Sequence, residues 1–126
     1  MVILVDWIHV LFVLKLSLLL LHEMDAVRAR EWKMFIILKS MREETAYIIF
    51  SVVHLPLYFW VIYTVSQTFS SGNTFVYLIT DVFLIAHTVI HFFFRRHAAN
   101  GFSSAYSNTL IYIMGVLAVI HLILIL

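Results

Sequence analysis

Long apolar runs, each broken by a few ionisable side chains, set the pattern of this chain. Crossing a bilayer as a helix takes roughly 20 apolar residues. Four runs approach or exceed that length, at about 2–24, 45–66, 75–94 and 109–126. The segments between them are polar. Residues 28–44 are charged, 67–74 carry the turn formers Ser70, Ser71, Gly72 and Asn73, and 95–108 form a polar loop. Inside the first connector, Met34-Phe35-Ile36-Ile37-Leu38 is apolar but too short to span. Trp32, Phe35 and Ile36 share a helical face there, which predicts a segment lying on the headgroups. Pro56 removes a backbone donor from the second run and predicts a kink that frees the Val52 carbonyl. The pattern therefore predicts an all-α membrane protein: a four-transmembrane-helix bundle with a short interfacial segment between spans one and two. Residues 1–126 read as a single integral membrane domain.

Composition sharpens this. The chain is 63% hydrophobic and 12% charged, with mean hydropathy +1.02. Soluble domains are nearer half apolar and a quarter charged. A net charge of +1 argues against nucleic acid as a partner. The absence of cysteine excludes disulfides, thiolate ligands and a cysteine nucleophile. Met1 to Asp6 has no basic leader, so the first run is expected to be retained as a span. Seven of the eight Lys and Arg lie in the first and third connectors: Arg28, Arg30, Lys33, Lys39, Arg42, Arg95 and Arg96. The positive-inside rule then places those connectors in the cytoplasm and both termini outside. Trp7, Trp32, Trp60, Tyr63, Tyr77 and Tyr106 fall near the expected boundaries, as interfacial belts do.

Ionisable groups at membrane depth are costly, which makes them functional candidates. His22 and Asp25 are i,i+3 at the end of span one; His87 and His91 are i,i+4 near the end of span three. Each pair shares one helical face. At a rise of about 1.5 Å per residue, His91 and His87 lie roughly 5 and 10 Å inside the cytoplasmic end, and His54 about 14 Å inside. Three His and one carboxylate suit zinc, iron or manganese. The candidate metal ligands are therefore His22, Asp25, His87 and His91. His54 is a candidate cofactor-binding or supporting residue, and Glu23 a candidate catalytic base or a partner of Arg28. On the outer side Asp6 and His9 of span one approach the depth of His121 on span four, and Lys15 and Asp81, between that zone and the cytoplasmic one, are expected to pair.

Two other readings use the same residues. Intramembrane His, Asp and Tyr can serve only to hydrogen-bond across helices, in a non-enzymatic packing or partner-binding subunit. A b-type haem needs axial His on facing helices, and His54 with His87, or His9 with His121, have suitable depths. A transporter is disfavoured, since four short spans without paired broken helices leave little room for a pore in a monomer. The partners expected are the lipid bilayer and, on the non-enzymatic reading, a second copy or another membrane protein.

The stretch His22-Glu23-Met24-Asp25-Ala26-Val27-Arg28-Ala29-Arg30-Glu31-Trp32 resembles the signature of a small bacterial four-span family of unknown function. It is more distantly similar to the HXXEE family of bacterial membrane proteins. Asp25 and Ala26 stand where that motif has two Glu. His91 with Arg95 and Gly101 is similar to the family's later His-containing segment, with Asn100-Gly101 in place of Pro-Gly. The resemblance implies an integral bundle in a bacterial inner membrane and no known activity.

Overall fold

A computed structural model describes residues 6–71 and 73–126, with the side chains of 68–71 excepted. The expected start of span one at Val2, and Gly72 in the second connector, lie outside the described residues. Every regular element among the described residues is helical: α1 (Trp7–Arg28), two 3-10 turns (Glu31–Met34 and Leu38–Ser40), α2 (Glu43–Val53), α3 (Leu55–Ser71), α4 (Thr74–Phe94) and α5 (Ala105–Ile125). Three stretches are long and apolar enough to cross a membrane: Glu43–Gln67, Thr74–Phe94 and Ala105–Ile125. α1 is as long, but carries Lys15, Glu23, Asp25 and Arg28 and is not one of the three.

Side-chain oxygens set three helix starts. Asp6 accepts from the Ile8 and His9 amides, Asn73 from that of Phe75, and Ser104 from that of Ser107. Each satisfies amides that a helix start leaves without a partner. Asp6 is thus an exposed cap rather than an intramembrane carboxylate.

The helices bury most of their ionisable side chains together with part of their apolar ones, and turn many large apolar side chains outward. α1 buries Phe12, Lys15, Leu16, Leu19, His22, Glu23, Asp25 and Ala26, while Val10, Leu14, Leu20 and Met24 face outward. Water would penalise so much exposed apolar surface; lipid does not. Contacts fix the directions of three helices. Lys15 meets Asp81 and His22 meets His87, so α1 and α4 run the same way. Thr88 bonds the Ile111 carbonyl and Asp81 meets His121, so α4 and α5 are antiparallel. α4 and α5 approach closely at Gly115, where a Cβ would lie 2.6 Å from Thr88 Oγ1.

Two apolar cores result. Phe12, Leu16, Leu19, Leu84, Met114 and Ala118 form one with Val61, Val76 and Tyr77. Ala26, Ala29, Trp32, Ala46, Phe50, Phe102 and Ile111 form the other, at the end bearing the Arg-rich connectors.

Two sequence expectations change. The first connector is not one amphipathic helix. It breaks into two 3-10 turns after Arg30, which sits at φ 52°, and Trp32 turns inward onto Tyr47 and Phe50. Phe35, Ile36 and Ile37 stay exposed. Trp32 and Tyr77 are therefore core residues, not belt residues. The second long run does break near Pro56, and the break falls at His54, which separates α2 from α3. The His54 amide bonds the Ser51 carbonyl instead of continuing the α pattern to Phe50. The Phe50 carbonyl that this frees is taken by His54 Nδ1.

Candidate metal centre

α1 and α4, parallel and both packed against α5, bring His22, His87 and His91 to one point. Their ligand nitrogens all lie within 4.8 Å of one another. His87 Nε2 is central, 3.0 Å from His22 Nε2 and 3.2 Å from His91 Nε2. The i,i+4 spacing puts His87 and His91 on one ridge of α4, and α1 presents His22 against it. A neutral imidazole has one N–H and one lone pair. His87 Nε2 can therefore take part in only one hydrogen bond with its two neighbours at a time. Two nitrogens bound at about 2.05 Å to a tetrahedral ion are roughly 3.3 Å apart, close to the spacing of both contacts.

The other candidates fall around this group rather than in it. Asp25, expected as the fourth ligand, does not join the three nitrogens. Its Oδ1 accepts from Arg28 Nε at 2.7 Å, and Arg28 also reaches Ser107 Oγ on α5 at 3.0 Å. At the helix end the nearest cation draws the carboxylate toward α5; its Oδ2 is buried without a protein partner. Glu23 is buried and its Oε2 lies 3.1 Å from His54 Nε2. His54 Nδ1 already donates to the Phe50 carbonyl, so Nε2 is bare in the neutral ring. The contact with Glu23 is favourable only with a further proton, shared as imidazolium with carboxylate or as imidazole with carboxylic acid.

Glu31 has no role in the sequence reading, yet it is buried and its Oε1 stands 3.5 Å from His91 Nε2. Burial first, then the neighbouring Glu23 carboxylate, push the Glu31 carboxyl up to about 7, against the pull of His54. The sequence signal available was its place beside Trp32 in the motif quoted above: Trp32 anchors the turn and turns Glu31 inward with it. Phe102 closes the site, its ring 5.3 Å from that of His22 and 4.8 Å from that of His91. Gly101 makes this possible, because a Cβ there would lie 2.2 Å from the Ala29 carbonyl oxygen.

A second polar cluster lies further along α1. Lys15 Nζ bonds Asp81 Oδ1, and His121 Nδ1 lies 2.7 Å from Asp81 Oδ2 and 2.8 Å from Lys15 Nζ. All three side chains are fully buried. The Lys15–Asp81 pair follows from sequence; His121 as its third member does not.

Neither haem arrangement fits these contacts. His87 Nε2 faces two imidazoles and His54 Nε2 faces Glu23, which leaves no slot between His54 and His87. His121 is fully buried with the Phe12 and Tyr77 rings packed on it at 5.8 and 5.1 Å, which leaves no slot for a macrocycle beside it.

Residues 8–126 match the profile of a family of unknown function, DUF6713, and the chain belongs to that family. No curated protein and no solved structure matches the chain.

Proposed function

For this member of a family of unknown function, we propose a multi-pass protein of the bacterial inner membrane in which α1 completes a four-span bundle with both termini outside. His22, His87 and His91 bind one divalent transition metal near the cytoplasmic face. The observation that carries this is the convergence of three Nε2 atoms whose mutual contacts hydrogen bonding cannot satisfy together. Three neutral imidazoles leave an ion a position for water or substrate. Bound zinc would lower the pKa of a water for hydrolysis; iron or manganese would support redox chemistry. Either would act on a lipid-soluble substrate, since the site lies among helices with apolar outer faces. Glu23 with His54, and Glu31 beside His91, are placed to accept or return a proton.

One observation favours the other reading, a non-enzymatic packing or partner-binding subunit. Ligating His almost always donate their second ring nitrogen to an acceptor. His22 Nδ1 is buried without one.

Elemental analysis of the purified protein separates the two. The metal reading expects about one ion per chain, lost in His87→Ala. Equal, trace metal in both proteins overturns it. A reporter fused after Leu126 tests the topology and should be active only if it works outside the cytoplasm; a cytoplasmic signal overturns the orientation.

A further inference from the structure

We infer that the metal centre draws its substrate sideways from the bilayer, as an anionic long-chain lipid whose chain lies in an apolar groove ending at His54. This rests on the reading of the cluster as a substrate site. The groove runs between the first connector and α2. Met34, Phe35 and Leu38 line one side, Ile49 and Val53 the other, and His54 is its only ionisable lining residue. Its volume is about 580 Å³, within the range of ligand sites.

Two features set it apart from an ordinary lipid-facing dent. First, it adjoins the cluster. A smaller recess of about 60 Å³ is lined by Glu31, His91 and Ile90 and shares Met34, Phe35 and Phe94 with the groove. Those three side chains are all that the two spaces have in common, so a chain in the groove is one side-chain layer from His91. Second, its borders are cationic. Lys33, Lys39 and Arg95 directly adjoin the lining residues Met34, Leu38 and Phe94. Lys39 pairs with no carboxylate among the described residues, which leaves its charge for an anionic headgroup. A comparable recess of about 340 Å³ between α4 and α5, lined by Val89, Tyr112, Val116 and Val119 among others, has no histidine or charged lining residue and no Lys or Arg next to one in sequence.

The register decides which part of the lipid meets the site. His54 lies 11 residues beyond Glu43, about 16 Å along α2. With the headgroup on the cations of the connectors, the acyl chain and not the headgroup lies against His54.

Metal-loaded protein in phosphatidylcholine vesicles, irradiated with trace phosphatidylglycerol bearing an acyl-chain diazirine, tests this. Label should concentrate on Ile37, Ile49 and Val53, several-fold above Val116 and Val119. Val53→Trp should lower groove labelling several-fold and leave the α4–α5 recess unchanged; Ile37→Trp does the same from the opposite wall. Both positions are exposed, so the larger side chain fits without repacking the core. Lys39→Glu should reduce labelling by phosphatidylglycerol but not by a phosphatidylcholine diazirine. Labelling as strong at Val116 and Val119, or unmoved by both Trp variants, overturns the inference. The two failures are distinguishable: groove labelling in a protein that holds no metal overturns the metal reading and with it the delivery to a metal centre, leaving a lipid groove alone, whereas metal without groove labelling overturns this inference and spares the metal reading.

Discussion

The bundle buries ionisable side chains in two places and treats them in opposite ways. Lys15, Asp81 and His121 form a fully buried group in which an ion pair of opposite formal charges is flanked by His121, whose Nδ1 can serve Lys15 or Asp81 but not both at once and whose Nε2 has no partner among the described residues. His22, His87 and His91 are three like groups turned toward one another with no counter-charge between them, bordered by Glu31 and close to Glu23 and His54. His54 and His91 also line recesses in the protein surface. Burial alone therefore does not mark a functional site in this protein. What separates the clusters is counter-charge: the first holds an opposite pair that ties α1 to α4 with His121 of α5 against it, and the second holds three like rings.

The largest effect expected comes from breaking the ion pair. Lys15→Met leaves Asp81 buried without its cation and should cost ~3–5 kcal/mol in detergent unfolding. The double change Lys15→Met with Asp81→Asn should cost less than the sum of the singles. Silent, additive singles would erase the contrast between the clusters. Next is the histidine group. With metal at 100 times its Kd, binding should stabilise the wild type by about 2.7 kcal/mol. His87→Ala should lose that shift, and its affinity should fall by more than the roughly 10–100-fold that loss of an outer partner costs. Calorimetry with and without chelator reads both.

A smaller effect belongs to Glu31, which faces Glu23, His54 and His91. Its carboxyl, pushed up to about 7 in the folded protein, lies above its ordinary value of 4.5. The folded state therefore holds the extra proton, and the contribution of Glu31 is present below about 4.5 and is lost as pH rises through about 7. In chelated protein this should lower stability by on the order of 2 kcal/mol across that window. Glu31→Gln should flatten the slope; an unchanged slope assigns it to other groups. The smallest is Gly101→Ala. The loop must lift from Ala29, costing ~1–2 kcal/mol, and Phe102 should move off His22 and His91. Faster metal exchange with the fold intact is the expected signature.

Much of this was readable in the sequence, and the exceptions share a cause. Three of the four long runs are helices of spanning length, and the fourth is a helix of equal length. Spacing alone put His87 with His91 and set His22 at matching depth, because helical period and rise are fixed by the backbone. Spacing does not say which way a side chain leans at a helix end, so Asp25 was assigned to the histidines when Arg28 was one turn away. It is equally silent on connectors. Glu31 sits in a charged stretch that reads as solvated, and only the inward turn of Trp32 buries it. His121 joins the Lys15 pair through antiparallel contact of α4 with α5, a tertiary fact with no local pattern.

The break at His54 also has a mechanical side. α2 spans 11 residues and is about 16 Å long. It is joined to α3 through a single residue whose amide has left the α-helical ladder. That makes α2 a lever with its fulcrum at His54, beside Glu23, and its far end at Glu43, which Arg30 and Lys33 tie to the first connector. A swing of about 10° at the fulcrum carries the far end ~3 Å, given that length. Lever and connector would travel together, so the width of the groove and the contact between His54 and Glu23 are set by one angle.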